Sequence, residues 1–428
     1  MVAESDSVGS ISETAGQQKT ITVSEVPSAN PERISATRVF RPDIEGLRAV
    51  AVGLVLLYHG FNVPVTGGFV GVDVFFVISG FLITSLLLRE HSKTGRVSIF
   101  DFYARRVRRI LPASALVVVA TVLAANHFLG FIAGNSVATD AKWTAVFAAN
   151  IHFALIGTDY LGSQLPPSPL QHMWSLGVEE QFYLVWPALF LLLVVIIRGA
   201  RHRTALAGAL VIVGGASLAW SVIETMSNGT WAYFSPFTRA WELALGALVA
   251  VLTPTIARLK PVWASEVLGL FGVIGIVISG LMLTSSMPYP GSAVALPVVS
   301  TALVITAGCA NTKTVVARVL SVRPMQWLGA RSYSLYLWHW PILIIAAQYA
   351  GHDLSVWQNA GLLLLAVFAS ALTYRLVENP VRRARVLISR TGLSLAVGAL
   401  LIVATIAIAQ WQIAAHYGTW NPFEIGFQ

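Results

Sequence analysis

About twelve apolar stretches, each long enough to form a membrane-crossing helix, follow one another along this chain. They lie near 44–61, 68–88, 110–130, 141–158, 176–197, 204–223, 237–253, 265–285, 293–310, 332–350, 357–378 and 392–413. A bilayer admits only helices and closed barrels, because every backbone polar group must be satisfied internally, and runs of this length read as helices. Of 428 residues, 56% are hydrophobic and 11% are charged, which excludes an ordinary soluble domain. The sequence therefore predicts an all-α, polytopic transmembrane helix bundle. Residues 1–40 are rich in Ser, Thr, Glu and Gln and read as a disordered tail. They form no signal peptide, since no apolar core precedes the first long run. The single Cys309 rules out an intramolecular disulfide framework and argues against a cysteine-based metal cluster.

The basic residues set the expected sidedness. Arg33, Arg38 and Arg41 precede the first span and place the N-terminus in the cytoplasm. The connection after the second span carries Arg89, Lys93, Arg96, Arg105, Arg106, Arg108 and Arg109, so it returns inside. If 141–158 were a full crossing, Arg198, Arg201 and Arg203 would fall outside. This segment contains Lys142, Asn150 and His152 and precedes the Pro-rich "GSQLPPSPLQH", so it reads as re-entrant or interfacial. The later basic groups (Arg258 and Lys260; Lys313, Arg318 and Arg323; Arg382, Arg383, Arg385 and Arg390) then all land inside. The expectation is about eleven crossings, within a range of roughly 10–12, with the C-terminus extracytoplasmic. The net charge of +8 is then mostly topology and needs no nucleic-acid partner.

Some polar residues are left over by topology. Arg48 and His59 share one face of the first helix, ~16 Å apart along its axis. Ionisable groups inside a bilayer are costly and mark functional paths. Asp73 falls at a depth comparable to His59. "SPLQHMWSLGVEEQFYLVWP" brings His172, Glu179 and Glu180 in from the outer side, and "FTRAWELALG" adds Arg239 and Glu242, one turn apart. These read as one outward-leaning polar chamber. His339 in "SYSLYLWHWP" fits that chamber or an aromatic interface anchor. Trp174, Trp231 and Tyr233 suit stacking on a sugar or an apolar tail, and equally mark the membrane interface.

On the cytoplasmic side, Arg105, Arg106, Arg108 and Arg109 open the third helix. Arginine rather than lysine is favoured for multidentate phosphate recognition. The same cluster also serves as a topology determinant and lipid-headgroup anchor. "TGGFVGVD" lacks the strand–turn–helix context of a nucleotide loop and reads as close helix packing. No metal-ligand spacing such as HExxH occurs.

Seven phrases occur in an order that resembles the acyltransferase-3 family of bacterial integral-membrane O-acyltransferases. They are "FRPDIEGLRAVAV", "GFVGVDVFFVISGFLIT", "FYARRVRRILPA", "HMWSLGVEEQFYLVWP", "RAWELALGALVA", "YSLYLWHWPIL" and "LVENPVRR", and the resemblance covers residues 40–385. The family's arginine-x10-histidine motif falls on Arg48 and His59, and its arginine-x-x-arginine motif on Arg106 and Arg109. The resemblance implies a multi-pass protein of the bacterial cytoplasmic membrane with acyl-CoA, usually acetyl-CoA, as cytoplasmic co-substrate and no tightly bound cofactor. The acceptor it implies is a hydroxyl of an envelope sugar or glycolipid.

The expected organisation is a tail at 1–40, a membrane domain at 41–390, an additional helix at 391–414 and a short extracytoplasmic tail at 415–428. Many relatives carry a fused SGNH domain after that additional helix. No Gly-Asp-Ser motif appears here, so the chain is expected to work alone, to hand its acyl group to a separate SGNH-type partner, or to be a piece of something longer.

On this reading Arg48, Arg105, Arg106 and Arg109 hold the CoA phosphates. His59 acts as general base or acyl carrier, with Asp73 or Glu180 orienting its imidazole. His172, Trp174, Glu179, Arg239, Glu242 and His339 line the acceptor side. The rival reading is a flippase or transporter of a lipid-linked sugar that uses the same path without covalent chemistry. A polyprenyl-phosphate-dependent glycosyltransferase fits less well, because the first outer loop, "NVPVTGG", has no acid.

Overall fold

A computed structural model describes residues 40–61, 64–161, 166–197, 202–258 and 261–417. Apart from Phe40, the tail expected at 1–40 lies outside the described residues, as do 418–428 of the short C-terminal tail. The chain opens with α1 (Pro42–Phe61), α2 (Gly71–Thr94) and the long α3 (Ile99–Ala145), followed by the short α4 (Ala149–Leu155). Next come α5 (Trp174–Ile196), α6 (His202–Ser227), α7 (Gly229–Phe234), α8 (Pro236–Ile256), α9 (Val262–Met282) and α10 (Ala295–Ala310). The last part holds α11 (Val315–Leu320), α12 (Arg323–Ala350), α13 (Val356–Thr373), α14 (Asn379–Arg383), α15 (Arg385–Ser389) and α16 (Thr391–Tyr417). Among the described residues there is no strand. The fold is an all-α multi-pass membrane bundle.

Local chemistry sets the helix boundaries. Pro42 opens α1, and Asp43 and Glu45 sit in its first turn, where acidic groups complement the helix dipole. Ser98 caps α3 by accepting from the Asp101 amide at 3.3 Å. Within α3 the chain breaks at Gly130, whose φ of 84° leaves the helical region. A capping box of Ser355 and Gln358 starts α13.

Nine helices among the described residues are long and apolar enough to cross a membrane: α1, α2, α3, α5, α6, α8, α9, α13 and α16. The segment 141–158 forms the end of α3 and the seven-residue α4. At ~10 Å, α4 is too short to span a hydrocarbon core of about 30 Å. The sequence expectation of about eleven crossings adds α10, which has only 16 residues, and α12, which is long but polar. The polarity of α12 has a structural reason. It packs against α1, α3 and α13, and Ser332, Ser334, Tyr336 and His339 are buried among protein groups.

Two close helix approaches position the polar groups. A Cβ on Gly329 of α12 would lie 1.9 Å from the Glu45 carbonyl oxygen of α1. Only glycine lets these two helices meet there, with His59 and His339 further along them. A Cβ on Gly246 of α8 would lie 1.9 Å from the Val77 carbonyl oxygen of α2. Replacing Gly246 by valine must part α2 and α8, at a cost of about 1–3 kcal/mol for overpacking. The thermal midpoint of the detergent-solubilised variant is expected to fall; an unchanged midpoint would contradict this packing.

Candidate active site

Three histidines meet where α1, α12 and the turn before α5 come together. His59, near the end of α1, is partly buried, whereas His172 and His339 are fully buried. His59 Nδ1 lies 3.1 Å from His339 Nε2, with the two rings stacked 5.3 Å apart. His339 Nδ1 in turn lies 2.6 Å from the Tyr336 carbonyl oxygen. Trp340 packs edge-on against His59 at 4.6 Å. His172 is placed by a proline. Pro341 has no N–H, so the carbonyl of Leu337, four residues earlier, lacks its helical donor. His172 Nε2 lies 3.2 Å from that oxygen and takes the vacant place. The Tyr336 hydroxyl closes the group, 2.9 Å from the His172 carbonyl and 2.7 Å from Ser175 Oγ.

A second group forms between α3 and α5. Arg106 pairs with Glu180 at 2.9 Å, lies 4.0 Å from Glu179, and stacks over the Tyr183 ring at 4.0 Å. Glu179 also accepts from Ser79 Oγ at 2.6 Å and from the Tyr183 hydroxyl. Arg109, one turn along α3, lies within electrostatic reach of Arg48 and Arg106 and has no hydrogen-bond or ion-pair partner among the described residues. Arg48 is held by Glu45 at 3.3 Å. The rest of the cluster is engaged elsewhere: Arg105 pairs with Glu90 at 2.6 Å, and Arg108 donates to Ser394 and to the Leu387 carbonyl.

The third group is a knot with almost no exposure. Arg239 Nη1 reaches Asp73 at 2.8 Å and Glu242 at 3.0 Å, and Nε donates to the Tyr233 carbonyl. The Tyr289 hydroxyl donates to the second Asp73 oxygen. Trp174, Tyr233 and Tyr289 surround the guanidinium with their rings, at 5.4, 5.1 and 5.2 Å. Such rings attract a cation through their quadrupoles.

This geometry corrects several placements read from the sequence. Neither Asp73 nor Glu180 touches His59: Asp73 is taken up by Arg239 and Tyr289, Glu180 by Arg106, and the neighbour of His59 is His339. His339 thus stands beside His59, in the same group. Trp174, Arg239 and Glu242 form an internal knot, and Trp174, 1% exposed, offers no open face to a sugar. Glu179 faces Ser79 and Tyr183, and Arg105 is drawn off by Glu90. Sequence reasoning missed Ser79, Tyr183, Tyr289 and Tyr336. The i, i+3 spacing of Tyr336 and His339 with Pro341 just beyond was the available signal for the last of these. Among the described residues no group of three or more His, Cys, Asp or Glu side chains is arranged to hold a metal ion.

The membrane bundle thus holds two separate polar groups, one around Arg106 and Arg109 and one around the partly buried His59. Residues 41–375 match the acyltransferase domain that defines the acyltransferase-3 family, and the chain belongs to that family. It is 32% identical over 357 residues to the peptidoglycan O-acetyltransferase OatA of Listeria monocytogenes, covering 81% of this chain and 56% of that protein. It is 33% identical over 353 residues to the putative peptidoglycan O-acetyltransferase YrhL of Bacillus subtilis, covering 80% and 55%. The O-acetyltransferase OatA of Staphylococcus aureus is 32% identical over 355 residues, covering 80% and 57%. The chain thus spans little more than half the length of these relatives. No solved structure matches it.

Proposed function

We propose that this chain moves an acyl group, acetyl in the first instance, from cytoplasmic acyl-CoA to a hydroxyl of an envelope glycan across the bacterial cytoplasmic membrane. The observation that carries the reading is the presence of two uncommitted groups: Arg109, with no hydrogen bond or close ion pair among the described residues, and His59, with no hydrogen-bond partner at Nε2 among them. The names of the relatives, peptidoglycan O-acetyltransferases, support an envelope glycan as acceptor.

In this account the N-terminal end of α1 faces the cytoplasm. Arg109, with Arg48 and Arg106 beside it, binds the donor's phosphates. Arg48 and Arg106 already have carboxylate partners, but Arg109 beside them has no close ion pair, and a polyanionic ligand would supply one. Arg48 and His59 are ~16 Å apart along α1, a distance comparable with the reach of an extended pantetheine arm. His59 Nε2 takes the proton of the acceptor hydroxyl as its oxygen attacks the thioester carbonyl. The tetrahedral intermediate collapses, the C–S bond breaks, and the imidazolium returns the proton to the departing CoA thiolate. A transient acyl-histidine would form through the same lone pair.

Arg105 and Arg109 separate donor binding from topology. Loss of one charge-assisted phosphate contact costs about 1.5–3 kcal/mol, or ~10–100-fold in KM. Acetyl transfer from labelled acetyl-CoA in vesicles is therefore expected to show KM raised by that factor in Arg109→Ala. Arg105→Ala, which breaks only the pair with Glu90, should leave KM within about 3-fold. Equal effects of the two substitutions would assign the cluster to topology and lipid headgroups instead.

A further inference from the structure

The hydrogen-bond chain from Tyr336 to His59 has a direction, and that direction determines which nitrogen of His59 is free. A backbone carbonyl only accepts, so His339 Nδ1, 2.6 Å from the Tyr336 oxygen, must carry a proton. His339 is fully buried, and its neighbours among the described residues are the rings of His59, His172 and Tyr336 and the backbone of its own helix, with no carboxylate in hydrogen-bond or ion-pair contact. An imidazolium there would be a buried charge without a counter-ion. Neutral His339 therefore presents a bare Nε2, which accepts. The atom 3.1 Å away is His59 Nδ1, so that atom donates.

We infer that His339 is a positioning residue that holds His59 in the Nδ1–H tautomer and leaves His59 Nε2 as a bare lone pair aimed at the reacting hydroxyl. The arrangement places an imidazole in the orienting role that a carboxylate fills in nucleophile–base–orienter triads. A neutral orienter has a distinct consequence. It fixes tautomer and ring plane without adding a fixed negative charge to a membrane-embedded site. The backbone of α12 is the ultimate anchor, since the Tyr336 carbonyl lies on the same helix, three residues before His339. A second imidazole is fixed by the same helix: His172 donates through Nε2 to Leu337 and leaves its buried Nδ1 without a partner. Two histidine lone pairs are thus set by two successive α12 segments.

The inference rests on the acyl-transfer reading for its consequence, but the tautomer itself can be measured without turnover. Nitrogen-15 spectra of histidine-labelled protein in lipid, with His59→Gln used to assign the signal, are expected to show His59 protonated at Nδ1 and bare at Nε2. In His339→Ala the His59 signal should become a mixture of tautomers. Its kcat should fall about 10²-fold, within the range general-base catalysis supplies, while KM for acetyl-CoA stays within about 3-fold. His339→Gln places an accepting oxygen near the position of Nε2 and should recover most of that loss. A wild-type spectrum with the proton on His59 Nε2 would overturn the inference, as would a His339→Ala spectrum identical to wild type. The expected wild-type tautomer together with no acyl transfer would leave the inference standing and overturn the proposed function instead.

Discussion

Replacing His59 by alanine is expected to reduce acyl transfer by about 10²–10⁴-fold, the contribution of a positioned general base, while the protein still inserts and folds. The position predicts this separation of activity from stability. Among the described residues His59 makes one hydrogen bond, to His339, a tilted ring contact with Tyr58 and an edge contact with Trp340. Its loss leaves His339 Nε2 without a donor, at a cost of about 1–3 kcal/mol. The activity loss should appear in kcat with acetyl-CoA KM little changed, because the proposed phosphate site lies ~16 Å away along α1. Steady-state transfer in vesicles, normalised to folded protein by size-exclusion chromatography, measures it. A variant with near wild-type kcat would remove His59 from the chemistry.

Arg239→Leu is expected to have the largest effect on stability. The guanidinium is the shared counter-ion of Asp73 and Glu242, and all three side chains are at most 2% exposed. Removing it leaves two carboxylates facing each other in the bundle, and breaking a buried pair from one side costs about 3–5 kcal/mol. The loss extends beyond the ion pair. Tyr233, Tyr289 and Trp174 pack their rings around the guanidinium, and Asp73 joins α2 to the loop residue Tyr289. Thermal unfolding in detergent should show a large drop for Arg239→Leu and a partial return when Glu242→Leu is added. By contrast Arg105→Ala, which breaks a partly exposed pair with Glu90, should cost less than about 1 kcal/mol. A double variant no more stable than Arg239→Leu alone would show that the residual carboxylates are not the source of the damage.

The helices were legible because continuous apolar runs have few alternatives in a bilayer. Even the exception at 141–158 announced itself through Lys142, Asn150 and His152. Depth within the bundle was harder to read. Counting residues from the outer surface put Glu180 in an outer chamber and Arg106 at the inner mouth, yet they are 2.9 Å apart. The turn Gln171–Met173 is already buried before α5 begins, so Glu180 starts its count from inside the protein. Residue spacing also gives depth along a helix without giving the neighbour across it. Asp73 belongs to α2, which packs closely on α8, and its partner is therefore Arg239 rather than His59. The Arg239–Glu242 pair was visible as an i, i+3 spacing. The His59–His339 bond joins residues 280 positions apart and depends on the close approach at Gly329, which no local pattern encodes.

The most direct test of the account is acetyl transfer across a sealed membrane. Purified protein would be reconstituted in vesicles with peptidoglycan fragments enclosed, and labelled acetyl-CoA supplied only to the face bearing the N-terminal end of α1. Label appearing on the enclosed fragments with wild-type protein, and absent with His59→Ala, is the predicted result. Enclosed fragments that remain unlabelled, or that gain label equally with both proteins, would contradict it.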